Sequence, residues 1–155
     1  MRGLSLAPGA WAPPAEAMQG SAPKQLPAAL SEDFDRAAER LLATLGEACE
    51  PGASFLRQVE GALRATLALF AAEPELGRLL TVRPFATQGE AIPSYLEWQQ
   101  RCAGLLRAAA ERSPDAHSNP PFVETRLVGG ISWRIARCLS DEGPEHLPEL
   151  LTRAG

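Results

Sequence analysis

Between residues 31 and 153 the hydrophobic positions recur every three or four residues, the spacing that puts them on one face of a helix. Phe34, Ala37, Ala38, Leu41, Leu42 and Leu45 form the first such stripe, predicting a helix over 31–49. Phe55, Leu56, Val59, Ala62, Leu63, Thr66, Leu67 and Phe70 form the clearest one, over 53–73. Leu76, Leu79 and Leu80 mark a short helix over 74–82, and residues 83–91 read as a loop. Tyr95, Trp98, Cys102, Leu105, Leu106 and Ala109 define a helix over 94–111. Val123, Leu127, Val128, Ile131, Ile135, Cys138 and Leu139 define another over 120–140. A last short helix over 145–153 carries Leu147, Leu150 and Leu151. No stretch alternates convincingly with period two, so the predicted fold is an all-α antiparallel bundle.

The breaks agree with local chemistry. Ser31 reads as an N-cap, with Glu32 and Asp33 where the helix dipole favours negative charge. Glu32 and Arg36 form an i,i+4 pair on the opposite face. Pro74 disfavours helical geometry at Glu73 and suits the first turn of the next helix. Ser94-x-x-Glu97 reads as a capping box, and Asn119 with Pro120 as a cap and first helical residue after a polar loop over 113–119. Gly143-Pro144 closes the 120–140 helix.

Residues 1–30 break this pattern. Five prolines, eight alanines and three charged side chains leave no period there, so the segment reads as a Pro/Ala-rich tail or linker, ordered at most by packing, through Trp11 for instance. The apolar start is short and interrupted by Pro8, Pro13 and Pro14, which argues against a secretion signal. The remaining residues, 31–155, make one helical domain. A net charge of −4 with no Lys/Arg cluster gives no electrostatic reason to bind nucleic acid. No run reaches the about 18 apolar residues of a membrane span. Three scattered cysteines, Cys49, Cys102 and Cys138, fit a reducing cytoplasm.

Three stretches carry a family resemblance: residues 59–80 (VEGALRATLALFAAEPELGRLL), residues 123–135 (VETRLVGGISWRI), and Glu149-Leu150-Leu151 following His146-Leu147-Pro148. A long amphipathic helix broken by an Ala-Glu-Pro step, and a late helix with a Val-Gly-Gly-Ile step, resemble the regulatory domain of tetracycline-repressor (TetR) type regulators. The resemblance covers roughly 31–153. It departs from the family at both ends: the last helix is short, and 30 Pro/Ala-rich residues stand where a helix-turn-helix of about 45 residues is expected. Either the gene product is truncated or mis-started, or it has specialised away from DNA.

The resemblance implies a transcriptional regulator's effector-binding module that dimerises, with no cofactor and no direct DNA contact of its own. Its effector pocket lies inside the bundle, between the helices over 31–49, 53–73, 94–111 and 120–140. The residues this implies for the ligand are Leu63, Thr66, Phe70, Tyr95, Trp98, Cys102 and Leu127, and the implied effector is a hydrophobic or amphipathic small molecule. The implied homodimer face includes Gly129, Gly130, Trp133 and Arg137. Two successive helical glycines cost about 1 kcal/mol each against alanine, so they call for a reason. Close approach of a partner helix is one; a kink or a contact within the chain is another. A helical protein–protein interaction module with a filled core is the alternative function.

Enzymatic readings find little support. Cys102 with His117 has the residue types of a nucleophile and base, but Cys102 sits on an apolar stripe where thiols pack. A carboxylate di-metal bundle needs Glu-x-x-His pairs, and Pro114 and Gly143 stand three residues before His117 and His146. No metal site and no catalysis are expected.

Overall fold

The computed structural model of the chain describes residues 28–87, 89–114 and 122–153, with side chains described from residue 31 onward. The described residues are all-helical, without a strand. Helix α1 runs Ala28–Ala48, α2 Phe55–Ala72, α3 Pro74–Thr81, α4 Arg83–Ala86, α5 Ile92–Glu111 and α6 Val123–Arg137. A π-helical turn, Cys138–Glu142, extends α6, followed by a 3-10 helix, Pro144–Glu149, and α7, Leu150–Arg153. No helix among the described residues is long and apolar enough to cross a membrane. The segment 1–27, Trp11, His117 and the expected Asn119–Pro120 start lie outside the described residues.

Two expected helix starts are corrected. Ser31 is not a cap: α1 already begins at Ala28, because Ala28, Ala29 and Leu30 are strong helix formers that carry the helix upstream. The Ser94 capping box is not made either. Pro93 lies in the first turn of α5, which therefore starts at Ile92 and leaves Ser94 inside the helix. At α2 the cap is Ser54, whose Oγ accepts the Arg57 N–H at 3.3 Å. That helix ends as Pro74 requires, with the Glu73 N–H donating to Leu69 O at 2.8 Å.

Further differences concern linkers. The expected loop over 83–91 contains the turn α4, held by Pro84 in its first turn and by Thr87 Oγ1, which donates to Pro84 O and accepts the Ala91 N–H. Helix α6 cannot extend back to residue 120, because Phe122 adopts φ 66°, outside helical geometry. At its other end the helix widens: Gly143 N–H reaches Cys138 O at 2.7 Å, five residues back, and the positive φ of Gly143 (104°) stops the chain there. The expected final helix over 145–153 is accordingly split into a 3-10 and an α segment, with Pro148 inside the first.

The apolar stripes meet in one core. All six residues of the α1 stripe are buried, as are Leu67 and Phe70 of α2, Leu80, Trp98, Ile135 and Leu147. Leu56, expected on the same face, is exposed, in the first turn of α2. Helix α3 approaches α2 and the end of α6 closely at Gly77, where an added Cβ would stand 3.0 Å from both Phe70 Cγ and Leu139 Cδ1. Polar contacts fix the helix register. Arg40 of α1 makes a two-nitrogen ion pair with Glu73, and Arg101 of α5 reaches Glu39 of α1 at 2.6 Å. The buried Gln58 amide donates to Ala53 O at 2.9 Å and Ala109 O at 3.2 Å, joining the start of α2 to the end of α5.

Candidate functional site

Where the long helices converge they leave an apolar cavity of about 60 Å³. Helix α2 presents Val59, Ala62, Leu63, Thr66 and Phe70, which the i, i+3, i+4, i+7 spacing places on one face. Trp98, Cys102 and Leu106 of α5 form the opposite wall, and Val128, Ile131, Ser132 and Ile135 of α6 form a third. Leu41 and Leu45 of α1 and Thr81 of α3 complete it. Among the described residues no Asp, Glu, Lys, Arg or His side chain lines the space. A charged molecule would therefore lie there without a counter-charge, at a cost of several kcal/mol.

Five of the residues anticipated for the ligand come together here: Leu63, Thr66, Phe70, Trp98 and Cys102. Tyr95 and Leu127 do not. The buried Tyr95 ring lies edge-on to Phe85, with centroids 4.9 Å apart, and its hydroxyl receives the Gln99 amide at 2.6 Å. Burial holds its pKa above the ordinary tyrosine value, with the Ser132 bond opposing. Leu127 is half-buried, one residue short of the turn that faces inward; Val128 and Ile131 take the wall positions. Val128, Ile131 and Ile135 belong to the apolar stripe of α6; Ser132 was missed. Thr81 carried no sequence signal, since its position depends on how α3 folds back.

Most polar groups of the wall are engaged. Thr66 Oγ1 donates to Ala62 O and Thr81 Oγ1 to Gly77 O, each at 2.8 Å. The indole Nε1 of Trp98, by contrast, is buried and finds no partner among the described residues. An unpaired buried donor costs about 1–3 kcal/mol, and over 90 % of such groups in folded proteins are satisfied.

Cys102 is 3 % exposed, and burial pushes its thiol up to about 12, against a weak opposing pull from Arg101. Burial likewise raises the thiols of Cys49 and Cys138. A thiol held neutral is a poor nucleophile. Among the described residues no three His, Cys, Asp or Glu side chains are grouped to hold a metal. Folded protein at pH 8 is expected to leave Cys102 and Cys138 unmodified by a disulfide reagent over minutes, with half-buried Cys49 reacting first. Fast loss of Cys102 would contradict its placement. The shift also has a sign for stability: the Cys102 contribution is full below the unfolded pKa near 9 and is lost as pH rises through about 12.

The outward side of α6 has a different character. Among the described residues no atom lies within 4 Å of a Cβ added at Gly129 or Gly130, and α6 continues through both. Among the described residues no contact within the chain accounts for them. Trp133, one turn on, is 58 % exposed, and the Arg137 guanidinium lies 5.0 Å from its ring centroid. Gly129, Gly130, Trp133 and Arg137 thus share one face at helical spacing, turned away from the cavity. No family model, no curated protein and no solved structure matches this chain.

Proposed function

We infer that residues 31–155 form the effector-binding, dimerising regulatory domain of a TetR-type transcriptional regulator, cytoplasmic and without catalysis of its own. The observation that carries this reading is the uncharged apolar cavity bounded by α1, α2, α5 and α6. Those are the four helices between which the resemblance puts the effector pocket. The order of elements supports it too: a long helix broken at Ala72-Glu73-Pro74 into a short one, and a late helix with two glycines on an open face.

At about 60 Å³ the cavity is smaller than the roughly 300–1,000 Å³ of drug-sized ligand sites. Effector binding then requires the bundle to open, and the ligand acts by favouring the open arrangement over the closed one. The same small volume favours a second reading, a helical interaction module with a nearly filled core.

Titration of the chain with small uncharged apolar compounds, followed by thermal unfolding, separates the two. The effector reading expects dose-dependent stabilisation that Ala62→Trp abolishes, because the indole fills the cavity. An interaction module gives no stabilisation by any of them. The chain itself is expected to give no specific shift of operator DNA at low salt; a specific complex would contradict this part of the reading.

A further inference from the structure

The outward face of α6 carries an ordered charge pattern. At helical spacing Arg126, Gly130, Trp133, Arg137 and Asp141 form one exposed stripe, which runs from α6 into the π-helical turn over about 22 Å. Arg134 falls to one side of it. Trp133 stands near the middle with the Arg137 guanidinium over its ring, and Asp141 reaches Arg137 at 3.7 Å. Among the described residues Arg126 makes no ion pair, and the Asp141 side chain is 60 % exposed. The stripe is thus basic at its start, aromatic at its middle and acidic at its end.

That order decides how a second copy fits. Two parallel copies put Arg126 on Arg126 and Arg137 on Arg137, and an antiparallel pair crossing at Gly130 puts Arg126 on Arg134; like charges so placed repel. An antiparallel pair with its two-fold axis between Trp133 and Arg134 instead puts Arg126 opposite Asp141 of the second copy, and the symmetry makes this pair twice. It also sets Gly130 opposite Arg137 of the second copy, where the missing side chain leaves room for the guanidinium.

We propose that two copies of the chain pair antiparallel along α6 in this register, with Trp133 against its own copy at the axis and Arg126 paired with Asp141 of the second copy. This rests on the dimer reading and assigns the contacts of that interface.

Two measurements on the full chain test it. In the first, Trp133→Cys and Gly130→Cys are oxidised by copper phenanthroline, and the disulfides formed are located by mass spectrometry of digests. Position 133 is expected to cross-link to itself. Position 130 lies roughly 10 Å along the helix from its own copy, beyond the about 7 Å between Cα atoms that a disulfide spans, and is expected to give at most a tenth as much. In the second, Arg126→Asp and Asp141→Arg are each expected to raise the dimer Kd about tenfold by sedimentation, and the double variant to return it to within about threefold. Preferred cross-linking at 130, or a double variant as weak as the single ones, overturns the register and leaves a dimer standing. A native chain that is monomeric overturns the register and the dimer together. Should Trp133→Cys itself be monomeric, the charge exchange decides: restored association supports the register, and unrestored association overturns it.

Discussion

Phe70→Ala is expected to lower the unfolding free energy by about 3–5 kcal/mol, roughly 10–15 °C in Tm for a chain of this size. Phe70 is fully buried, lines the cavity, and packs against the backbone of α3 where Gly77 leaves room for its ring. Truncation joins a ring-sized void to the existing space. The neighbours cannot collapse into it, because Leu139 and Gly77 are already in close contact from the other side. An apolar void of that size binds small aromatics. Benzene at ten times its Kd is therefore expected to restore about 1.4 kcal/mol to the variant. A loss below about 1.5 kcal/mol, or no rescue by benzene, would mean that the ring is not packed as the structure shows.

Gly130→Arg is expected to change association and monomer stability in opposite directions. Among the described residues nothing lies near either glycine of α6, so replacing Gly130 with a good helix former raises the stability of the isolated chain by up to about 1 kcal/mol. If two copies meet on this face, the added side chain blocks close approach of the helices. It also adds positive charge beside Arg126, Arg134 and Arg137. The proposed dimer is then expected to weaken at least about hundredfold. Light scattering at micromolar concentration should give twice 16.6 kDa for the native chain and 16.6 kDa for the variant. A native chain that is already monomeric, or a variant that remains dimeric, removes the dimer face from this position.

Much of this arrangement was legible in the chain itself because burial imposes period. The stripe Phe34 to Leu45 and the line Val59, Ala62, Leu63, Thr66, Phe70 needed only helical spacing to be read as inward. Pro74 marked the α2–α3 break because its effects on the preceding residue are local. Starts were less legible. At Ser31 and Ser94 a cap signal competed with good helix formers or a proline placed just before it, and the upstream signal won. The π-helical turn at Cys138–Glu142 has no local sequence mark; packing of Cys138 and Leu139 into the core accompanies it. The cavity was half legible for a related reason. Spacing tells which side of a helix faces inward, and it placed Trp98 and Cys102 correctly on the inner face of α5. It does not tell which inward residues meet a void and which meet a neighbour, so Tyr95 reads alongside them although Gln99 engages its hydroxyl.

The closed bundle leaves an apolar cavity of about 60 Å³ between α2, α5 and α6. Crystals of the chain under xenon pressure test it most directly, since xenon enters dry apolar cavities and needs no hydrogen bond. The predicted result is one strong xenon peak among Leu63, Thr66, Trp98, Cys102 and Ile131. A bundle that takes up no xenon there, or takes it up only on its surface, would contradict the claim.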